Sequence, residues 1–479
     1  MNHNIPLRII SMALAAMMSI VVLSTTAAAS AAEITASAPP HADVDAAPPV
    51  TLSDVTPDKW FYDDVMRLVT IGVISGYPDG NFYPEREISN AEFVKILLSS
   101  IGFDLDTPVG DEIFTDNWAT EYLSLAYTLG FITDEELEAG FLPETPITRA
   151  AMTRMMVMAL GIEPAPVEDP FIDTSDDYAK AAYGEYLLKG IPDGAGGLIY
   201  NGEGTASRSE AAAIAIRVID YNEDPYEYFK NAVLDNATVN TLDTEGEMID
   251  LFYVLNREFM TEFTFRTTLP IDVWTPYYRM ANIIYLEYFY SSELKCSYIP
   301  GSGTYKLILE YEKDLETLKK FHAEACESAD EVVAEILDES MTPAQRVKAI
   351  HDYLILYCEY DYVNYVDDTI PLESRVAYGP LKARIAVCQG YTAAFNMLCK
   401  RAGIRSAVVT GTSPTSPDQH AWNMILLDGR MVFVDVTHDD PVPDKKGQIS
   451  YKYYLRTEDE MTMLGYLWNK EETQLKYLY

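Results

Sequence analysis

Cationic side chains are scarce in this chain of 479 residues: Lys and Arg number 35 against 74 Asp and Glu, a formal net charge of −39. Such a surface repels nucleic acid and anionic lipid and suits neutral or basic partners. Cysteine is scarce too, with Cys296, Cys326, Cys358, Cys388 and Cys399 making up all five. An odd count in an exported chain leaves at least one thiol free, and the others are open between disulfides and buried thiols. Long apolar runs are almost missing. One spans Ile9 to Leu23, behind Arg8 and ahead of Ala27-Ala28-Ala29-Ser30-Ala31. It is shorter than the ~20 residues of a membrane span, and Ala29-x-Ala31 fits small-residue cleavage. Residues 1–31 are therefore expected to be a secretion signal, with no stable membrane insertion after its removal. Short-spaced Cys/His pairs and an EF-hand loop are both missing, so no metal or cofactor is expected. Apolar side chains are plentiful at 48%, enough for packed cores, and the length asks for several domains.

Residues 32–50 are rich in Ala and Pro and read as an extended linker. A repeat follows. Trp60, Trp118 and Tyr178 are 58 and 60 residues apart, Gly72, Gly130 and Gly190 keep that spacing, and Ser89, Thr148 and Ser207 follow at 59 and 59. Each unit reads as an aromatic-led helix, a glycine-containing loop and a second helix. Ser89 with Glu92, and Ser207 with Glu210, form capping boxes; Thr148 keeps the cap but meets Ala151. Capping does not explain Arg149 and Arg208 just inside the helix, where the dipole disfavours cations. Such arginines suggest an anion to grip.

Together with Gly76-Tyr77-Pro78-Asp79-Gly80-Asn81-Phe82, these units resemble S-layer homology repeats, at 51–105, 112–164 and 169–220. The resemblance implies anchoring on an anionic, often pyruvylated, secondary cell-wall polysaccharide. It implies Arg149 and Arg208 as contacts, while Asn90 stands where the first repeat would need its arginine. Trp60 and Trp118 are either core aromatics or sugar platforms.

Residues 221–248 read as an acidic connector, and 249–479 as a further domain with its core at about 341–457. In that core Cys388, His420 and Asp435 follow one another 32 and 15 residues apart. Apolar positions at Tyr391, Ala394, Phe395, Leu398 and Ala402, closed by Gly403, predict a helix that begins beside Cys388. A helix N-terminus favours a thiolate, and its free N–H groups can hold an oxyanion. Asp428-Gly429 between two apolar runs predicts a hairpin. In that register Leu427 faces Arg430, Trp422 faces Asp435 and His420 faces Thr437, so His420 and Asp435 are diagonal neighbours on one face. His351 on an earlier helix is the rival base and lacks such a partner geometry.

Val387-Cys388-Gln389-Gly390-Tyr391, His420-Ala421-Trp422-Asn423 and Val434-Asp435-Val436-Thr437 resemble the core motifs of the transglutaminase-like superfamily. His351-Asp352-Tyr353-Leu354, Tyr360-Asp361-Tyr362 and Ala377-Tyr378-Gly379-Pro380-Leu381 resemble its lead-in, and Ser450–Leu455 its closing strand. The chain departs from the family at His438, where tryptophan is usual, and at Arg384-Ile385-Ala386, where a glycine is common. The resemblance implies all-α S-layer homology repeats followed by an α+β, papain-like core with a central antiparallel sheet. It implies Cys388 as nucleophile, His420 as base and Asp435 as its orienting group, with Gln389, Trp422 and His438 near substrate. Transfer to an amine and hydrolysis by water share one thioester, so acyltransferase and cysteine peptidase or amidase both stay open, as does a non-enzymatic surface module. A protein or peptide substrate and a cell-wall location, associated with the S-layer, complete the expectation.

Overall fold

Side-chain caps start helices of the N-terminal half at Ser89, Thr133, Thr148, Asp176 and Ser207. The computed structural model describes residues 52–103, 110–162 and 170–470, apart from 196, 271–273, 285, 339, 444 and 446. The expected signal (1–31) and linker (32–50) lie outside the described residues. The chain divides into two units between Ala232 and Val233.

The first unit holds α1 (Tyr62–Thr70), α2 (Asn90–Ser100), α3 (Thr120–Thr128), α4 (Asp134–Glu138), α5 (Arg149–Ala159), α6 (Asp177–Gly184) and α7 (Arg208–Glu223). The helices α2, α5 and α7 start on Ser89, Thr148 and Ser207, with full capping boxes at Glu92 and Glu210. A two-residue hairpin, β1 (Ile191–Pro192) with β2 (Leu198–Ile199), and single β-bridges add to the expected all-α character.

The residues just before the three caps close a ring. The Ile88 N–H donates to Ala206 O (3.0 Å), Ala206 N–H to Ile147 O (3.1 Å), and Ile147 N–H to Ile88 O (2.9 Å). All three side chains are buried. The 59-residue period is thus realised as approximate threefold symmetry, with one strand-like link per repeat satisfying backbone groups that burial would otherwise leave unpaired.

Residues 221–248 are largely helical: α7 runs to Glu223, α8 covers Pro225–Val239, β3 Thr241–Leu242, and α9 begins at Glu245 on a Thr244–Glu247 capping box. The second unit continues through α9 (Glu245–Arg257), β4 (Glu262–Thr267), α10 (Trp274–Ile284), β5 (Ser291–Ile299) and β6 (Thr304–Tyr311). One sheet has the order β3-β4-β6-β5, with β3 parallel to β4 and the other pairs antiparallel. Next come α11 (Leu315–Ile336) and α12 (Pro343–Tyr357), the latter starting on Thr342 with Pro343 in its first turn.

The remaining elements build the candidate site. They are β7 (Glu359–Tyr360), α13 (Tyr362–Val366), α14 (Leu372–Arg375), β8 (Ile385–Ala386), α15 (Cys388–Arg401), β9 (Ser406–Ser413), β10 (Ser416–Leu427), β11 (Arg430–Val434), α16 (Val436–Asp439), α17 (Glu458–Met463) and β12 (Leu467–Trp468). The second sheet has the order β11-β10-β9-β12 and is antiparallel throughout. The α15 helix is buried along Tyr391, Ala394, Phe395 and Leu398, and it packs against β9 and β10. Gly390 sits in its first turn because nothing larger fits: a Cβ there would lie 2.5 Å from Ser374 O and 2.9 Å from Ala386 Cβ.

The hairpin register is the one read from Asp428-Gly429. Leu427 pairs with Arg430 and Asn423 with Val434, and both loop residues have positive φ, at 49° and 72°. Two details differ. The β11 strand ends at Val434, so Asp435 and Thr437 do not face Trp422 and His420 on a ladder; Asp435 instead caps α16. The segment Ser450–Leu455 forms turns rather than a closing strand, and β12 closes the sheet against β9.

Among the described residues no helix is long and apolar enough to cross a membrane. All five cysteines are free thiols, with Cys358 and Cys399 buried. Cys399 lies on α15 with Cys388, in the helix that keeps them apart.

Candidate active site

Cys388 is the first residue of α15. Extended backbone at Val387 (φ −101°, ψ −179°) delivers it, and Val387 N–H is anchored on Ser374 O at 2.9 Å. Val387 offers no side-chain cap to the first turn, so its N–H groups stay available to a ligand. Gln389 follows in the same turn and is half-buried.

His420 reaches the same place from the centre of the sheet, on β10, paired with Gly411 of β9. Its Nε2–H donates to Asp435 Oδ2 at 2.7 Å, and both side chains are buried. Cys388 lies within electrostatic reach of His420. Burial alone would disfavour the imidazolium. The charge and hydrogen bond of Asp435, helped by Cys388, outweigh burial and push His420 up to about 10. Burial likewise opposes the Asp435 carboxylate, yet His420 and His438 hold it well below the usual range. A buried imidazolium beside a thiol, held by a fixed anion, is the electrostatic arrangement that activates a cysteine.

Asp435 takes donors beyond His420. Its Oδ2 also accepts from His438 Nδ1 (2.7 Å) and from the Tyr466 hydroxyl (2.6 Å), and its Oδ1 from His438 N–H (3.1 Å). The turn into α16 brings His438 back over the site. Its ring stacks on that of His420 with centroids 4.2 Å apart, and its Nε2 accepts the Thr415 hydroxyl at 2.6 Å. His438, expected at the substrate rim, therefore also braces the carboxylate. Tyr466 lies 31 residues beyond Asp435 and just before β12; only the pairing of that strand, which no local pattern announces, brings it in. His420, Asp435 and His438 offer ligand atoms within 4.8 Å of one another, a spacing that a metal could use; their mutual hydrogen bonds already account for it.

Trp422, expected near substrate, is fully buried; it stacks on His420 (5.8 Å, 22°) and packs against Tyr466 and Trp468, behind the base. Period two puts it on the His420 face, and α17 with β12 cover that face. His351 belongs to another cluster. It is wholly buried between Asp352 (3.0 Å) and Asp439 (3.3 Å) and packs on Tyr451 and Tyr454.

In the first unit the arginines find carboxylates inside the protein. Arg208, 6% exposed, donates to Phe82 O (2.9 Å) and Glu92 (3.1 Å) of the first repeat. Arg149, more exposed, donates to Thr205 O (2.8 Å) and to Glu210 of the third. Asn90 donates to Leu142 O (2.9 Å) and Thr145 (3.0 Å) of the second. Each post-cap residue thus reaches one repeat onward. Where the second repeat has Ala151 in place of a glutamate, the side chain aimed at it is the neutral Asn90. The anion that Arg208 was expected to grip is therefore Glu92, which leaves it no free face for a polysaccharide. Trp60 and Trp118 are 64% and 54% exposed, which excludes the core reading for both. Trp118 borders a cavity of about 250 Å³ with Tyr77, Arg86, Ser89 and Glu144.

Comparison with known proteins agrees with this division. The family model of the S-layer homology domain matches residues 51–94, and that of the transglutaminase-like superfamily matches 330–436. The human kyphoscoliosis peptidase is 31% identical over 121 residues, covering 22% of this chain and 18% of that protein. The surface-layer 125 kDa protein of Lysinibacillus sphaericus is 30% identical over 107 residues, 21% of this chain and 9% of its own length. The chain thus spans less than a fifth of either curated relative. A solved transglutaminase structure overlays with a TM-score of 0.23 at 16% identity, over 37% of this chain and 50% of that one. The chain carries an S-layer homology domain in its first unit and a transglutaminase-like superfamily domain in its second.

Proposed function

We propose that this is a cell-surface, S-layer-associated protein whose second unit performs thioester chemistry on an extracellular protein or peptide. The observation that carries the chemistry is the buried His420–Asp435 pair, 2.7 Å apart, with a cysteine at a helix start within its electrostatic reach. Cys388 attacks an acyl carbon of a side-chain or backbone amide, with the first-turn N–H groups of α15 stabilising the oxyanion. His420 protonates the departing nitrogen, and an amine or water then resolves the thioester. The peptidase name of the human relative favours hydrolysis, and the superfamily's name favours transfer.

The first unit anchors the protein on an anionic wall polysaccharide. The S-layer homology domain and the surface-layer relatives support that location. Exposed Trp60 and Trp118, with the half-buried Arg149, are the contacts available to a sugar.

The test is iodoacetamide labelling across pH, mapped to individual cysteines, in the mature wild type and in His420→Ala. Rapid labelling of Cys388 at pH 7, lost in the variant, supports the reading. Labelling of Cys388 no faster than that of Cys296 would refute it and leave a binding module.

A further inference from the structure

Tyr360 belongs to the Tyr360-Asp361-Tyr362 motif and lies outside the Cys388, His420 and Asp435 set. Its strand, β7, pairs in parallel with β8, and Tyr360 lies directly across from Ala386. From Ala386 the backbone runs extended through Val387 to Cys388. Paired residues point to one face, so Tyr360 shares a face with Ala386, and Cys388 follows Ala386 by two residues, where the chain turns into α15. The placement is rigid. Glu359 N–H donates to Arg384 O (3.0 Å) and Asp361 N–H to Ala386 O (2.8 Å). Buried Asp361 accepts the Ser374 hydroxyl at 2.6 Å, and Ser374 O in turn holds Val387. One network therefore fixes both Tyr360 and the nucleophile. The ring is half-buried and meets Tyr365 edge-on at 5.8 Å. Among the described residues its hydroxyl has no hydrogen-bond partner. Burial first, then the nearby charge of Cys388, push the phenol pKa up, so it remains a neutral donor at any working pH.

We propose that Tyr360 is a catalytic residue, whose hydroxyl donates a hydrogen bond to the oxyanion formed when Cys388 attacks an acyl carbon. The proposal rests on Cys388 being the nucleophile. As the Sγ–C bond forms, the carbonyl π pair moves onto oxygen. Tyr360 and a first-turn N–H of α15 hold that oxygen without giving up a proton. Collapse restores the C=O bond and expels the leaving group, giving the thioester. A neutral phenol aimed at developing charge costs no reorganisation during the step, which is the condition under which one donor matters most.

Two probes of the full chain separate this role from a structural one. Iodoacetamide alkylates Cys388 by displacing iodide and forms no oxyanion. Acylation by p-nitrophenyl acetate passes through one and releases nitrophenolate in a burst. Tyr360→Phe is expected to leave alkylation within about twofold of wild type and to slow the burst at least tenfold, within the ~10²–10³ range for a lost oxyanion donor. An unchanged burst, or equal losses with both probes, overturns the proposal. A burst that survives Cys388→Ala, or a wild type that fails to alkylate at Cys388, removes the nucleophile reading instead, and the proposal with it.

Discussion

Replacing Asp435 by Asn tests the electrostatic core of the site at nearly constant shape. The rise of His420 from 6.5 to about 10 amounts to roughly 5 kcal/mol in favour of the imidazolium, at about 1.4 kcal/mol per tenfold. Burial acts against that charge, and Asp435 is the first counterweight to it. Without the carboxylate charge, His420 falls to or below 6.5 and is neutral at pH 7. Cys388 then loses the imidazolium that activates it, so its alkylation at pH 7 slows. Acyl transfer falls further, on the order of 10³–10⁴, because the imidazole also loses its orienting acceptor. Stability carries a matching signature. The raised His420 contributes stability that is full below 6.5 and lost as pH climbs through about 10; the lowered Asp435 contributes stability present above 3.8 and lost at more acid pH. The melting temperatures of wild type and variant should therefore differ most between pH 4 and 6.5. The assay is the pH profile of Cys388 alkylation, with thermal melts over the same range. A folded Asp435→Asn protein that labels at the wild-type rate between pH 6 and 7 would refute the reasoning.

Two predictions concern the first unit. Arg208→Ala removes one of the two arginines on the largely covered Glu92, which keeps Arg86, and should cost roughly 1.5–3 kcal/mol, read as a lowered melting temperature, with Arg149→Ala milder because its pair is more exposed; equal effects would contradict the ring arrangement. Trp60→Ala and Trp118→Ala should leave the melting temperature unchanged and weaken sedimentation with purified cell-wall polysaccharide, and undiminished binding would take both tryptophans out of the sugar site.

Local sequence was sufficient wherever local physics decides. Capping chemistry at Ser89, Thr148, Ser207 and Thr342 set helix starts, because a side-chain oxygen three residues upstream of an orphan N–H needs no tertiary context. The Asp428-Gly429 turn set the hairpin register, because two positive-φ residues in a row permit little else. That turn, with the helix from Cys388, points nucleophile and base to one place, and Asp435 joins them from the cap of α16 rather than from the ladder.

Tertiary structure decided what lies around them. Whether an aromatic lines a groove or a core depends on which element covers it: Trp422 is buried by α17 and β12, while Trp60 stays exposed. Arg208 is unfavourable at its own helix start and is satisfied by Glu92 from 116 residues away, across the ring of repeats. Tyr466 joins Asp435 because a two-residue strand pairs with β9, and Tyr360 lies across from Ala386, two residues before Cys388, because another such strand pairs there. Strands that short carry no periodicity of their own. Their partners are chosen by the packing of the whole unit, and that choice completes the site.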